Sequence, residues 1–349
     1  MSPLSLSPGK VSQCNRLVQP DETATLALES EGDSVKSIKW LGVVAAGLVV
    51  TTSAQAQVRT GPWEMPTDVD LSETLDCLEA EGATIISAHR GGPSPGLPEN
   101  AIPTMDAVLH EVPAMMEIDV AASPDGVHYL MHDRTLDRTT TGAGAVADVP
   151  WETVAELHLV DEAGWVTPYR VPTLAETLEW AEGKTVLQVD FKRTADFETV
   201  ISEIREAGME QGVILIAYTK AQALRLYELA PEMLISYSVN APGDLDEIVA
   251  AGIPAENIVA FTGTRVARPD LYSALDRQDV EVIFGTLGRP DRSLDGVFAR
   301  FGTDERYAEL GEGGVDVIAT DRPRAAAAAL EAAGRLPEVG TCGVTRGGE

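Results

Sequence analysis

Three short stretches of the chain end apolar runs on residues able to do chemistry. "ISAHRGG" closes on His89 and Arg90, "MMEIDV" carries Glu117 and Asp119, and "LQVDFK" carries Asp190 and Lys192. The i, i+2 spacing within "EID" and "DFK" puts each pair on one face of an extended strand, and in a closed sheet that face can point inward. Three carboxylates facing one axis in a water-poor site repel one another and need a cation. Donors that are all oxygen suit a hard divalent ion, so Mg2+ or Ca2+ is the expected species. A strand-end acid taken alone more often caps the next helix, but three on consecutive strands, two of them at i and i+2, favour the metal. His89 and His132 would each read as a structural histidine in isolation. Their placement beside the acids makes them candidates for proton transfer. Gly91 and Gly92, which follow Arg90, would let the backbone approach a ligand closely.

Something must hold these residues together. From Ala83 onward, short β-branched runs alternate with amphipathic helical stretches, the rhythm of a parallel sheet with crossover helices. The runs are "ATIISAHR", "MMEIDVAAS", "TVLQVDFK", "VILIAYT", "LISYSV", "IVAFTG", "VEVIFGTLG" and "VDVIATDRP". Between them lie helical stretches such as "TLAETLEWA", "DFETVISEIREAG", "KAQALRLYELA", "DLDEIVAAG" and "RAAAAALEAAG", several closed by a C-cap glycine. Residues 83–330 match the ~250 residues typical of a (β/α)8 TIM barrel. That fold is expected here in preference to a doubly wound sheet with a second domain, and it requires the chemistry to sit at the C-terminal ends of the strands. The rhythm breaks once, after the second strand, where residues 125–174 insert a further apolar run and a Thr/Gly loop. Trp151, Trp165 and Tyr169 of this insertion would either line a pocket at the barrel mouth or pack the insertion onto the barrel.

Composition narrows the partners. With 349 residues, a formal charge of −29 and a basic complement in which Arg far outnumbers Lys, the surface would repel nucleic acid. An anionic small molecule must therefore meet local positive charge or a metal. Lys36 and Lys39, the apolar run Trp40–Val50 and Ala54-Gln55-Ala56 have the form of a signal peptide cleaved near Ala56. The run is short for a bilayer span. Residues 1–56 are thus expected to be a leader and 57–349 a single exported domain, periplasmic or secreted, with no stable membrane span after cleavage. Cleavage would remove Cys14 and leave Cys77 and Cys342, which in an oxidising compartment either form a disulfide or stay free thiols. No CxxC pair or zinc-type cluster is present.

The stretches "HRGG…LPENAIPTMDAVL", "MMEIDVAASPDGVHYLMHDRTLDRTTTGAG", "VPTLAETL", "LQVDFK" and "GVDVIATDRP" occur in that order, and with them the chain resembles the glycerophosphodiester phosphodiesterase family over nearly all of residues 83–330. The resemblance implies a (β/α)8 barrel that hydrolyses glycerophosphodiesters to glycerol 3-phosphate and an alcohol. It implies that His89 and His132 share the general acid and base roles, unassigned between them. It implies that Glu117, Asp119 and Asp190 hold the divalent metal, Arg90 contacts the phosphate, and Glu99 and Lys192 complete the polar shell around a small phosphodiester substrate. The third-strand acid is Asp190 where family members commonly carry glutamate, so metal identity is open, and Ala101 replaces the threonine of the usual "PENT". Two alternatives keep the barrel: a phosphodiesterase acting on lysophospholipid, sphingomyelin or another phosphate ester, and an inactive barrel that only binds phosphodiesters.

Overall fold

The computed structural model describes residues 61–347. The apolar run 40–50, the cleavage pattern at Ala56 and Cys14 lie outside the described residues. All eight apolar runs are strands of one closed parallel sheet: β1 (Ile85–Ala88), β2 (Ala114–Ala122), β3 (Leu187–Phe191), β4 (Val213–Ala217), β5 (Leu234–Ser238), β6 (Ile258–Phe261), β7 (Val282–Gly285) and β8 (Val317–Thr320). Neighbours follow chain order, and β1 closes the barrel by pairing with both β8 and β2.

The period of two along each strand sorts residues into two layers. Ile86, Met116, Leu215, Ala260, Phe284 and Ile318 point outward into the core shared with the surrounding helices. Ile85, Met115, Ile214, Leu234, Val259, Ile283 and Val317 point inward and fill the lower barrel. Helix Leu71–Ala80, capped by Asp70 accepting from the Ser72 and Glu73 backbone amides, lays Leu71, Leu75 and Leu78 over this lower opening. Each such buried leucine contributes about 2 kcal/mol.

Farther along the same inward face the side chains turn polar: Ser87 on β1, Glu117 and Asp119 on β2, Gln188 and Asp190 on β3, Ser236 on β5. All are buried. The β2–β3 register sets Glu117 opposite Gln188 and Asp119 opposite Asp190. On these four strands the inward face thus begins apolar at the base and ends polar at the mouth, whereas β4, β6, β7 and β8 bring Ile216, Phe261, Ile283 and Ala319 to the same cavity.

The insertion after β2 starts with a strand, His128–Leu130, that turns back antiparallel along β2. It continues through a hairpin, His158–Val160 with Val166–Arg170. Its own core contains Tyr129, Met131, Leu136, Val146, Val154, Leu159 and Val171. Trp151 packs on Tyr129 with ring centroids 5.4 Å apart, Tyr169 joins the same cluster, and Trp165 is 74% exposed. Of the two roles open to these aromatics, packing holds for Trp151 and Tyr169, while Trp165 is exposed.

At the base, Trp63–Glu64 pairs antiparallel with Thr345–Arg346, and Cys77 and Cys342 are joined in a disulfide. The two ends of the described chain are tied to each other and to the helix beneath the barrel.

Candidate active site

The cavity at the barrel mouth, about 190 Å³, is bordered by His89, Glu117, Asp119, His132, Asp190 and Lys192 together. Six of the eight residues singled out in the sequence therefore meet at one place. Arg90 borders the cleft beside it. Glu99 does not face the cavity: it is buried behind Arg90, accepting from Arg90 Nη1 at 3.2 Å and from Arg138 Nη1 and Nη2 at 2.7 and 2.8 Å. There it braces Arg90 and Arg138.

The turn after β1 carries His89 and Arg90. Arg90 takes a left-handed conformation, φ 52°, which aims its amide at Glu117 Oε2 at 2.8 Å while its guanidinium reaches Asp119 Oδ2 at 3.6 Å. Gly91 and Gly92 also have positive φ, 78° and 76°. A Cβ on Gly91 would fall 2.5 Å from Met105 Cγ, and one on Gly92 would fall 2.9 Å from the side chains of Val108 and Pro323. The expectation that these glycines admit a ligand is thus corrected: they let the turn pack against its own helices.

The two histidines are held differently. His89 Nδ1 lies 2.6 Å from Asp321 Oδ1, just past β8, and its Nε2 lies 3.9 Å from Glu117. Asp321 is itself fixed: its Oδ2 accepts from the Gly288 amide at 2.8 Å, and its amide donates to Asp295 Oδ2 at 2.7 Å. Buried Asp295 in turn accepts from Tyr307 Oη and Thr320 Oγ1. Burial by itself would lower the His89 pKa, but the bond to Asp321 and the charges of Glu117 and Asp321 outweigh it and raise the value above the usual imidazole range. His132 comes from the insertion, with Nδ1 2.8 Å from the neighbouring Asp133. Asp133 accepts twice from Arg138, whose bonds, with those of His132, hold its carboxyl well below the usual range. Arg138 also grips Glu99, so an unbroken polar chain runs from His132 through Asp133, Arg138 and Glu99 to Arg90.

Among the three acids, one oxygen from each lies within 4.8 Å of the others, and they form a metal-competent group. Asp190 reaches this group despite being shorter than a glutamate. Burial first, then the charge of Asp119, pushes Glu117 up to about 8. Asp119 is depressed instead, because Lys192, His132 and Arg90 together overcome its burial. Lys192 Nζ sits 2.5 Å from both Asp119 and Asp190. Asn100, next to Glu99, clamps Asp119 by donating to Oδ2 at 2.7 Å and accepting from its amide at 2.9 Å. Tyr218, one residue beyond β4, donates to Asp190 Oδ2 at 2.8 Å. Asp190 Oδ1 is buried without a hydrogen-bond partner. An unpartnered carboxylate oxygen within an all-oxygen donor set is what a hard divalent cation requires.

Asp321, Asn100, Tyr218, Asp133, Arg138 and Asp295 belong to the site but were not singled out in the sequence. Asp321 and Tyr218 follow the same rule that found the others, lying just past the ends of strands, and Asn100 and Asp133 adjoin singled-out residues. Arg138 carries no comparable signal, since it meets Glu99 only through the folding of the insertion.

The chain matches the model of the glycerophosphoryl diester phosphodiesterase family over residues 89–325. The crystal structure of a glycerophosphoryl diester phosphodiesterase from Parabacteroides distasonis is 28% identical, with a TM-score of 0.71, and the match covers 82% of this chain and 100% of that one. The glycerophosphodiester phosphodiesterase of Caldanaerobacter subterraneus is 30% identical over 159 residues, 44% of this chain and 65% of that protein. Mouse glycerophosphodiester phosphodiesterase 1 is 34% identical over 126 residues, 35% of this chain and 38% of that protein. The chain thus spans less than two thirds of the length of these curated relatives. The family match, together with the barrel and the position of the acids and histidines at its mouth, shows that this chain belongs to the glycerophosphoryl diester phosphodiesterase family.

Proposed function

We propose that this protein is an exported, divalent-metal-dependent glycerophosphodiester phosphodiesterase, releasing glycerol 3-phosphate and an alcohol. The observation that carries the reading is the convergence of two separately anchored histidines and three metal-competent carboxylates on one mouth cavity. A phosphodiester resists attack because its anionic oxygens repel nucleophiles. A divalent cation held by Glu117, Asp119 and Asp190 would supply charge neutralisation of those oxygens. Arg90, braced by Glu99, presents its guanidinium to the phosphate. One imidazole takes a proton from the attacking water as its oxygen forms the new O–P bond. The other gives a proton to the departing alkoxide oxygen as the old P–O bond breaks. Asp321 and Asp133 fix the ring orientations by binding the Nδ1 positions, which leaves each Nε2 for the reaction.

The cavity's small size favours a glycerol moiety over a lipid chain, with Gln188, Ser236 and Ser238 giving hydrogen-bonding groups on a wall that also carries Ile216, Phe261, Ile283 and Leu287. The packing of Trp151 and Tyr169 away from it points the same way. Export is supported by the signal-like residues 36–56 and by the Cys77–Cys342 disulfide, which an oxidising compartment maintains. No helix among the described residues is long and apolar enough to cross a membrane. We assign residues 1–56 to the leader and the remainder to one barrel domain.

The test is glycerol 3-phosphate release from glycerophosphocholine by the parent and by His89→Ala and His132→Ala. Each variant is expected to lose about 10²-fold or more in kcat while keeping the circular dichroism of the parent. Undiminished turnover in both folded variants would refute the proposal.

A further inference from the structure

Two clefts leave the mouth cavity. One, about 670 Å³, runs between His89 and the loop and helix that follow β7. Its cations are already paired: Arg90 with Glu99, Arg289 with Asp291 and Arg322 with Asp304, while Glu162 adds a negative charge. The other, about 650 Å³, opens past His132, Asp190 and Lys192 between the end of β3 and the 3-10 turn Val146–Asp148 of the insertion. Its balance is different. Both carboxylates on its wall are engaged, Asp133 by His132 and Arg138, and Asp190 by Lys192 and Tyr218. Arg134 and Arg193, both exposed, border it, and among the described residues neither has an ion pair or a side-chain hydrogen bond. The rest of the wall, including Phe191, Val146 and Ala147, offers no opposing charge.

This surplus stands out in a chain with 55 acidic and 26 basic residues. Nothing in its solubility calls for two unpaired guanidinium groups on one cleft. The mouth cavity is sized for the glycerol end of a diester, so the substituent on the other side of the phosphate must leave through a cleft. Guanidinium groups bind oxyanions with geometry that neither water nor lysine matches.

We infer that the cleft bordered by Arg134 and Arg193 is the headgroup subsite, and that it selects headgroups carrying an oxyanion of their own. This rests on the phosphodiesterase reading above and deepens it. A cationic headgroup such as choline would meet like charge there, and a neutral one would meet neither help nor hindrance.

The experiment measures kcat/KM of the full chain on glycerophosphoglycerol, on its terminally phosphorylated form and on glycerophosphocholine, for the parent and for the double variant Arg134→Gln/Arg193→Gln. The parent is expected to prefer the phosphorylated substrate over the choline ester by about tenfold, mainly through KM, and the preference should shrink at about 0.5 M salt, where screening acts within roughly 4 Å. In the double variant the ratio should fall toward one. Double charge reversal, Arg134→Glu/Arg193→Glu, should turn it in favour of choline. A ratio is insensitive to partial unfolding, which scales both rates alike. Turnover with no anionic preference in the parent, or with a ratio the variants leave unchanged, would overturn the subsite. Absence of turnover on all three substrates with Mg2+ or Ca2+ present would instead strike the phosphodiesterase reading, and the subsite with it.

Discussion

The two ends of this barrel both gather carboxylates, and they differ in the cations set among them. At the mouth, Glu117, Asp119 and Asp190 converge with Arg90 and Lys192 among them, so Asp119 stays ionised at unusually low pH and an oxygen of Asp190 is left without a partner. At the base, Glu281 and Asp316 precede β7 and β8 and approach Asp76 and Glu79 of the helix beneath. Burial is the largest influence on all three shifted groups there, raising Glu281 to about 9, Glu79 to about 7 and Asp316 to about 6. The mouth divides its acids, holding Asp119 charged beside Lys192, His132 and Arg90 while burial raises Glu117 to about 8, whereas burial raises all three shifted acids at the base. A cluster of acids therefore carries functional meaning only when its cations, its unpartnered oxygens and its position on the strands agree.

The contrast is tested most severely by Glu117→Gln. It replaces a carboxyl that burial forces to hold its proton while keeping an oxygen for the Arg90 amide, so turnover should fall by about 10²-fold or more while Tm of the chelated protein rises near neutral pH. A fall in both would mean that Glu117 serves the fold. Next in size is Asp321→Asn, which spares the cavity but loosens His89. A drop of about tenfold in kcat with KM held is expected, a fraction of the 10²–10⁴ that acid–base catalysis supplies in full, and an unchanged kcat would free His89 from its anchor.

At the base, Cys77→Ser should leave kcat/KM intact and cost about 2–5 kcal/mol of stability, read as a lower Tm in thermal melts. Lost activity without lost stability would link the two ends. The smallest effect belongs to Glu281→Gln. The folded chain retains a proton on Glu281 that the unfolded chain releases near its ordinary pKa, so this group's contribution is full below about pH 4 and is lost as the pH rises through about 9. The variant should match the parent in Tm near pH 4 and exceed it increasingly up to pH 9. A constant difference across that range would show that Glu281 keeps its charge.

These features differ in how far the sequence reveals them. The eight strands were legible because each alternates a helix-facing and a barrel-facing residue, and the i, i+2 pairs were legible because that same alternation aims them inward. Strand ends were less so: "ATIISAHR" leaves the sheet at Ala88, since the turn through Arg90 needs a left-handed backbone. Asp321 and Tyr218 lay in plain view at strand ends but gain their meaning only from His89 and Asp190 across the mouth. Glu99 was readable as a site residue and not as a support, because Arg138, which holds it from the insertion, is 39 positions away. The acids at the base carry no signal in the sequence, because their burial depends on the helix packed beneath them.

The most direct test of the central claim is glycerol 3-phosphate release from glycerophosphodiesters by the protein after chelation, and again with Mg2+, Ca2+ or Zn2+ restored, in the parent and in Asp190→Asn. Release that vanishes on chelation, returns with a divalent ion and fails to return in the variant is the predicted result. Release that survives chelation, or returns equally in the variant, would contradict a metal-bearing site at Glu117, Asp119 and Asp190.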